Sequence, residues 1–126
     1  MKFEFDFSTL PDYVLIMTKG EPSMEEIESL FQTLVESPQW KPGTKQLYDH
    51  RKSFLKNFPA ECMHGMVNIA KKCSEKLGKG ACALVVKGDL GYGFARMYQM
   101  MGGERVHGPI GIFYSIEEAI EWLKNQ

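Results

Sequence analysis

ACALVVKGDLGYGFARMYQMM, at residues 81–101, holds a complete strand–turn–helix unit. Ala81 to Val86 is an uninterrupted run of small, apolar and β-branched residues. Such a run, bounded by turn formers, reads as a strand buried on both faces, as in parallel sheets. Lys87-Gly88-Asp89 breaks it, and Leu90, Phe94, Met97 and Met101 then recur at helical spacing. Asp89 is placed as the N-cap, where its carboxylate would accept from first-turn amides. Gly102-Gly103 is expected to end this helix.

The flanking sequence repeats the alternation. Upstream, Gln46 to Asp49 reads as a short strand, and a helix runs from about Pro59 to Leu77 before Gly78-Lys79-Gly80 stops it. Downstream, Ile110 to Tyr114 is a strand, and Ser115 with Glu118 forms a capping box for a last helix carrying Ile116, Ala119, Ile120 and Leu123. At the other end, KFEFDF (2–7) alternates Phe with charge, the mark of a half-buried strand. A turn around Thr9 to Asp12 leads to a second strand, Tyr13 to Thr18, in an expected antiparallel hairpin. Ser23 and Glu26 cap a helix whose Ile27, Leu30, Phe31 and Leu34 face the core, and Trp40 in the following loop would plug the core's end. The order is β-β-α-β-α-β-α-β-α. Helices between successive strands imply an α/β domain with a mixed, mostly parallel five-stranded sheet, four helices and right-handed crossovers.

At 126 residues the chain is one domain's worth, with 44% apolar and 25% charged residues, ordinary globular values. Lys and Arg number 15 against 16 Asp and Glu, so no net positive field exists to drive nucleic-acid binding. No apolar run is long enough to span a bilayer and the start carries no signal-peptide core, so a cytoplasmic location is expected. Cys62, Cys73 and Cys82 lack any CxxC spacing and are expected to be buried, reduced thiols. No metal site, cofactor motif or catalytic motif stands out. Gly88 to Gly93 matches neither GxxxxGK[ST] nor GxGxxG, and Asp89 would repel phosphate.

QLYDHR (46–51), ACALVVKGDLGYGFARMYQM (81–100) and GIFYSIEEAIEWL (111–123) resemble the SpoIIAA-like family. This bacterial family is related to the STAS domain of anti-sigma-factor antagonists and has been compared with the Sec14-type lipid-binding fold. The resemblance spans nearly the whole chain and implies a single STAS-like domain over residues 1–126, regulatory and not enzymatic. The phosphorylated antagonists carry Asp-Ser-Ser-Gly at the start of the helix after the third strand. Here that helix begins Phe58-Pro59-Ala60-Glu61, and Ser53 is the nearest hydroxyl.

Two surfaces are candidates for function. His50, Arg51, Lys87 and Asp89 fall at the C-terminal edge of the parallel strands, where open α/β sheets place ligands. With Lys52 and Lys56 they would form a mildly basic rim. Projected around the 90–101 helix, Tyr92, Arg96, Tyr98 and Met100 fall away from the Leu90–Met101 stripe. Their composition suits a protein interface, and a homodimer through this face is expected. On that reading Tyr98→Glu would separate the dimer and leave the fold intact.

Three functions remain open at this point. The first is a non-enzymatic regulatory or binding domain acting through a protein partner. The second is a carrier or sensor of a small anionic or lipid-like ligand. The third is a small hydrolase or transferase using Asp49 and His50. A flat patch around Tyr92, Tyr98 and Met100 favours the first, and a deep apolar pocket rimmed by His50, Arg51 and Lys87 favours the second.

Overall fold

A computed structural model describes all 126 residues. Five strands form one sheet in the order β1 (Lys2–Asp6), β2 (Val14–Gly20), β3 (Gln46–Ser53), β4 (Cys82–Val85) and β5 (Ile110–Phe113). β1 and β2 are antiparallel and every other pair is parallel, the topology expected from the hairpin followed by helical crossovers. β3 is longer than its apolar part, continuing through His50, Arg51 and Lys52 because its neighbour β2 still offers backbone partners there.

All four helical blocks are present, two of them broken. α1 (Met24–Glu36) starts at Ser23, whose hydroxyl accepts from the Glu26 amide at 3.2 Å, and buries Ile27, Leu30, Phe31 and Leu34. The second block begins as a 3₁₀ turn at Ala60–Cys62, continues as α2 (Met63–Lys72), breaks at Cys73 and resumes as α3 (Ser74–Leu77). α6 (Ile116–Lys124) is capped by Ser115, which accepts from the Glu118 amide at 3.2 Å. Trp40 closes the core's end, its indole donating to the Lys76 carbonyl at 2.7 Å.

The third block departs most from expectation. α4 (Gly88–Tyr98) has Lys87 at its cap, and Asp89 lies inside the first turn without a capping bond. Its buried face is Gly91, Ala95 and Tyr98, with Phe94, Met97 and Met101 half-buried beside it and Leu90 51% exposed. The face is rotated because the contact residues are small. A Cβ on Gly91 would stand 3.2 Å from the Val86 side chain, so the helix sits closer to the sheet than a Leu-centred stripe allows. Nor does the block end at its glycines. A wide turn over Gln99–Gly103, with Gly102 at φ 125°, passes directly into α5 (Glu104–His107), which buries Val106 and His107.

α1, α2 and α4 cover one face of the sheet and build the main core. α6 covers the other face over β3, β4 and β5, making a smaller core with Leu47, Ala83, Val85, Ala119 and Leu123. All three thiols are free; Cys82 is fully buried, and burial pushes its pKa up, whereas Cys62 and Cys73 are only half-buried because they flank the start and end of α2. No helix is long and apolar enough to cross a membrane.

Candidate functional site

Between α1, α2, α4 and the main-core face of the sheet lies a cavity of about 110 Å³, and 15 of the 21 residues around it are hydrophobic. Ile27, Leu30 and Phe31 come from α1, Met63 and Met66 from α2, Phe94 and Ala95 from α4, and Leu84 and Val86 from β4 and its end. Its mouth lies at the C-terminal ends of β2 and β3, where Pro22, Leu55 and Phe58 line it.

Polar groups meet this apolar space at two places. At the mouth the ladder between β2 and β3 shifts: Met17 pairs with Asp49, but Lys19 pairs with Lys52. One residue, Thr18, therefore opposes both His50 and Arg51, which is a β-bulge. The extra residue brings His50 and Ser53, three apart, onto the same face. Thr18 Oγ1 then lies 2.6 Å from His50 Nδ1 and 2.6 Å from Ser53 Oγ. Burial drives the His50 pKa down to about 4 against a smaller opposing pull from Asp49, so the ring is neutral near pH 7.

The second polar place is deeper. Tyr98 Oη is 2.6 Å from His107 Nε2, while His107 Nδ1 is buried with no partner. His107 is held among rings, with Phe31 at 6.1 Å, Tyr48 at 6.4 Å and Tyr98 at 5.7 Å between centroids. Tyr48 in turn stacks on His50 at 5.6 Å and donates to Gln46 Oε1 at 2.6 Å. Burial pushes the His107 pKa down to about 4, and it raises both tyrosine pKa values. All four rings are therefore uncharged near pH 7 and joined from the mouth to the floor.

The residues singled out from sequence separate in space. Of His50, Arg51, Lys87 and Asp89, only His50 lines the cavity. Arg51 is on the opposite side of the sheet, held to the Asp49 carboxylate by Nε at 2.9 Å and Nη2 at 3.0 Å. Burial raises the Asp49 pKa, but these bonds outweigh it and keep the carboxyl below its ordinary range. Asp49 thus faces away from His50 and does not orient its ring. Lys87 and Asp89 are exposed around the start of α4, outside the cavity lining.

The proposed outer face of the helix also divides. Tyr92 and Met100 are 41% and 71% exposed and Arg96 is exposed, bonded to Gln99. Tyr98 is only 8% exposed and belongs to the cavity wall, because the face of α4 is rotated toward its small residues. Sequence reasoning gave no role to Thr18, Tyr48 or His107. Alternation along β3 does carry one signal, since Gln46, Tyr48 and His50 must share a face, a polar stripe in a central strand. His107 had no such signal, because its burial depends on the chain turning at Gly102.

No protein-family model matches the chain, and no curated protein does. Among solved structures it is similar to an uncharacterised protein of the DUF3478 family from Shewanella loihica PV-4, described as having a SpoIIAA-like fold. The TM-score is 0.62 at 16% identity, over 97% of this chain and 92% of that one. The likeness covers nearly the whole of both chains: the chain has a SpoIIAA-like fold.

Proposed function

We propose that this domain binds a small, largely apolar molecule, as a carrier or a ligand-sensing regulatory domain. The cavity is the observation that carries this reading. It is somewhat smaller than the ~150 Å³ engineered cavity that admits benzene, so it suits one ring or a short acyl segment. Met63, Met66 and Phe58 in its wall can move to admit more, since methionine side chains repack readily. No Lys or Arg lines the cavity, and the Met1 amino group nearby is neutralised by Glu26 at 2.7 Å. With His50 and His107 both neutral, a buried anion would find no countercharge, and the part of the ligand held inside is uncharged. The unpartnered Nδ1 of His107 and the Thr18–His50 pair offer hydrogen bonds to a hydroxyl or carbonyl.

The test is uptake of N-phenyl-1-naphthylamine, a neutral fluorophore that brightens in apolar surroundings, and its displacement by medium-chain alcohols. Wild-type protein is expected to bind it saturably. Ala95→Leu, which adds bulk to the cavity wall, is expected to bind it about five- to 150-fold more weakly, from an overpacking cost of ~1–3 kcal/mol. No saturable enhancement, or equal binding by Ala95→Leu, refutes the reading.

A second reading, contact between two copies of the chain, draws on a separate observation. Tyr92 stacks on Tyr114 at 5.8 Å, and both are exposed together with Leu90. Exposed aromatic area of this kind favours association. Tyr92→Glu is expected to shift the sedimentation coefficient from dimer to monomer with the melting temperature unchanged. A wild-type protein that sediments as a monomer at high micromolar concentration removes this reading and leaves the cavity reading untouched.

A further inference from the structure

We infer that the lysine-bearing strand ends, on the sheet face opposite the cavity, form a docking surface for an anionic lipid bilayer. The strand register sets three lysines in one row: Lys2 is the partner of Lys19 on β2, and Lys19 is the partner of Lys52 on β3. Direct partners project from the same face of a sheet, with adjacent strands ~4.8 Å apart, so three ammonium groups stand along about 10 Å of surface. All three residues are exposed. None is ion-paired; the two salt bridges of the molecule are Met1–Glu26 and Arg51–Asp49. Like charges directly opposite one another weaken strand pairing, so the row does not serve the sheet.

The row lies on the α6 side of the sheet, where α6 packs mainly on β4 and β5 and less on β3. Its inner neighbours are Glu4 on β1 and Met17 on β2, followed by the neutralised Asp49–Arg51 pair on β3. Past Lys52 the chain presents Phe54, 67% exposed, and then Lys56, also exposed. Glu21, which shares a small cleft with Phe54, accepts a hydrogen bond from the Asn57 amide at 3.1 Å. A large apolar side chain between lysines at a strand end is costly in water, yet matches the boundary between headgroups and acyl chains.

The surface and the cavity lie on opposite sides of the sheet. Thr18 and Ser53, which line the cavity, alternate with Lys19 and Lys52, so the lysine row projects from the other face. Docking therefore needs no ligand and stands apart from the cavity reading.

The experiment is cosedimentation of the whole chain with vesicles of phosphatidylcholine, with or without phosphatidylserine, alongside the naphthylamine assay. Binding is expected only with phosphatidylserine, and it should fall as salt is raised, because the contacts are exposed and screened. Lys19→Gln and Lys52→Gln are each expected to weaken it about fivefold, and the triple variant with Lys2→Gln about a hundredfold. Phe54→Ser should weaken binding while leaving its salt dependence in place. All four positions are exposed, so the melting temperature should not move.

Equal binding to both vesicle types, no vesicle binding by the wild type, or a triple variant that binds like wild type overturns the docking surface. So does tighter binding to a single-stranded RNA oligonucleotide than to phosphatidylserine vesicles, which would assign the row to nucleic acid. Loss of vesicle binding with naphthylamine uptake intact refutes the docking surface alone. Vesicle binding without naphthylamine uptake refutes the cavity reading alone.

Discussion

Lowering the pH from 7 to 5 is expected to reduce folding stability by about 3–4 kcal/mol, about 2 for each of two histidines. His50 and His107 both have pKa values near 4 in the folded chain, against an ordinary 6.5. Burial is the main cause for each, and at His50 the Asp49 carboxylate opposes it weakly. Above 6.5 neither state binds these protons, and the stability is fully present. Between 6.5 and 4 the unfolded chain takes up two protons that the folded chain refuses, so stability falls as the pH falls. Most paired carboxylates titrate lower, which leaves the upper part of this window to the histidines. The urea midpoint at pH 7 and pH 5 measures the effect, which is a large share of the ~5–15 kcal/mol that holds a typical domain together. His107→Gln should remove roughly half of the slope. A midpoint that does not move between pH 7 and 5 would show that the folded chain accepts these protons freely, and the neutral cavity wall described above would be wrong.

Tyr98→Glu is expected to abolish cooperative folding. Tyr98 is buried against Gly103 and His107 in the wall of the cavity, and its hydroxyl is bonded to the imidazole. A carboxylate there would lose its hydration with no cation to receive it, at a cost of several kcal/mol, and the ring's packing would also be lost, another ~3–5 kcal/mol. Together these approach the whole stability of a domain this size. Circular dichroism of the variant should show no sharp thermal transition. Tyr98→Phe separates the two effects: it keeps the ring and leaves His107 Nε2 unpaired, for about 1–3 kcal/mol. If Tyr98→Glu melts cooperatively within a few degrees of the wild type, Tyr98 lies outside the core after all. Tyr98 would then belong to the outer helix face inferred from helical periodicity.

The two results bear on the site together, because Tyr98 and His107 form one unit. A neutral imidazole with one free nitrogen survives in a core only where something else compensates, or where a bound molecule supplies the missing partner. Its pairing with Tyr98 fixes the ring against the cavity floor. A ligand with one hydroxyl or carbonyl would complete it. Such a ligand should also raise the melting temperature of wild-type protein more than that of His107→Gln.

By itself, the sequence determined the sheet. The apolar run at 81–86, the alternation in KFEFDF and the two Ser-x-x-Glu caps each state a local preference, and all of them agree on β-β-α-β-α-β-α-β-α. Tertiary structure decided where the faces point. Periodicity weights large residues, so Leu90, Phe94, Met97 and Met101 dominated the reading of α4, while its closest contact with the sheet runs through Gly91 and Ala95. Packing distance is a property of two elements, and one element's sequence does not contain it. The site depended on such joint properties throughout. A one-residue bulge between β2 and β3 aligned Thr18, His50 and Ser53, and a turn at Gly102 returned His107 to the core, 9 residues from the tyrosine it meets. The lysine row arose in the same way, since Lys2, Lys19 and Lys52 are neighbours only through strand register.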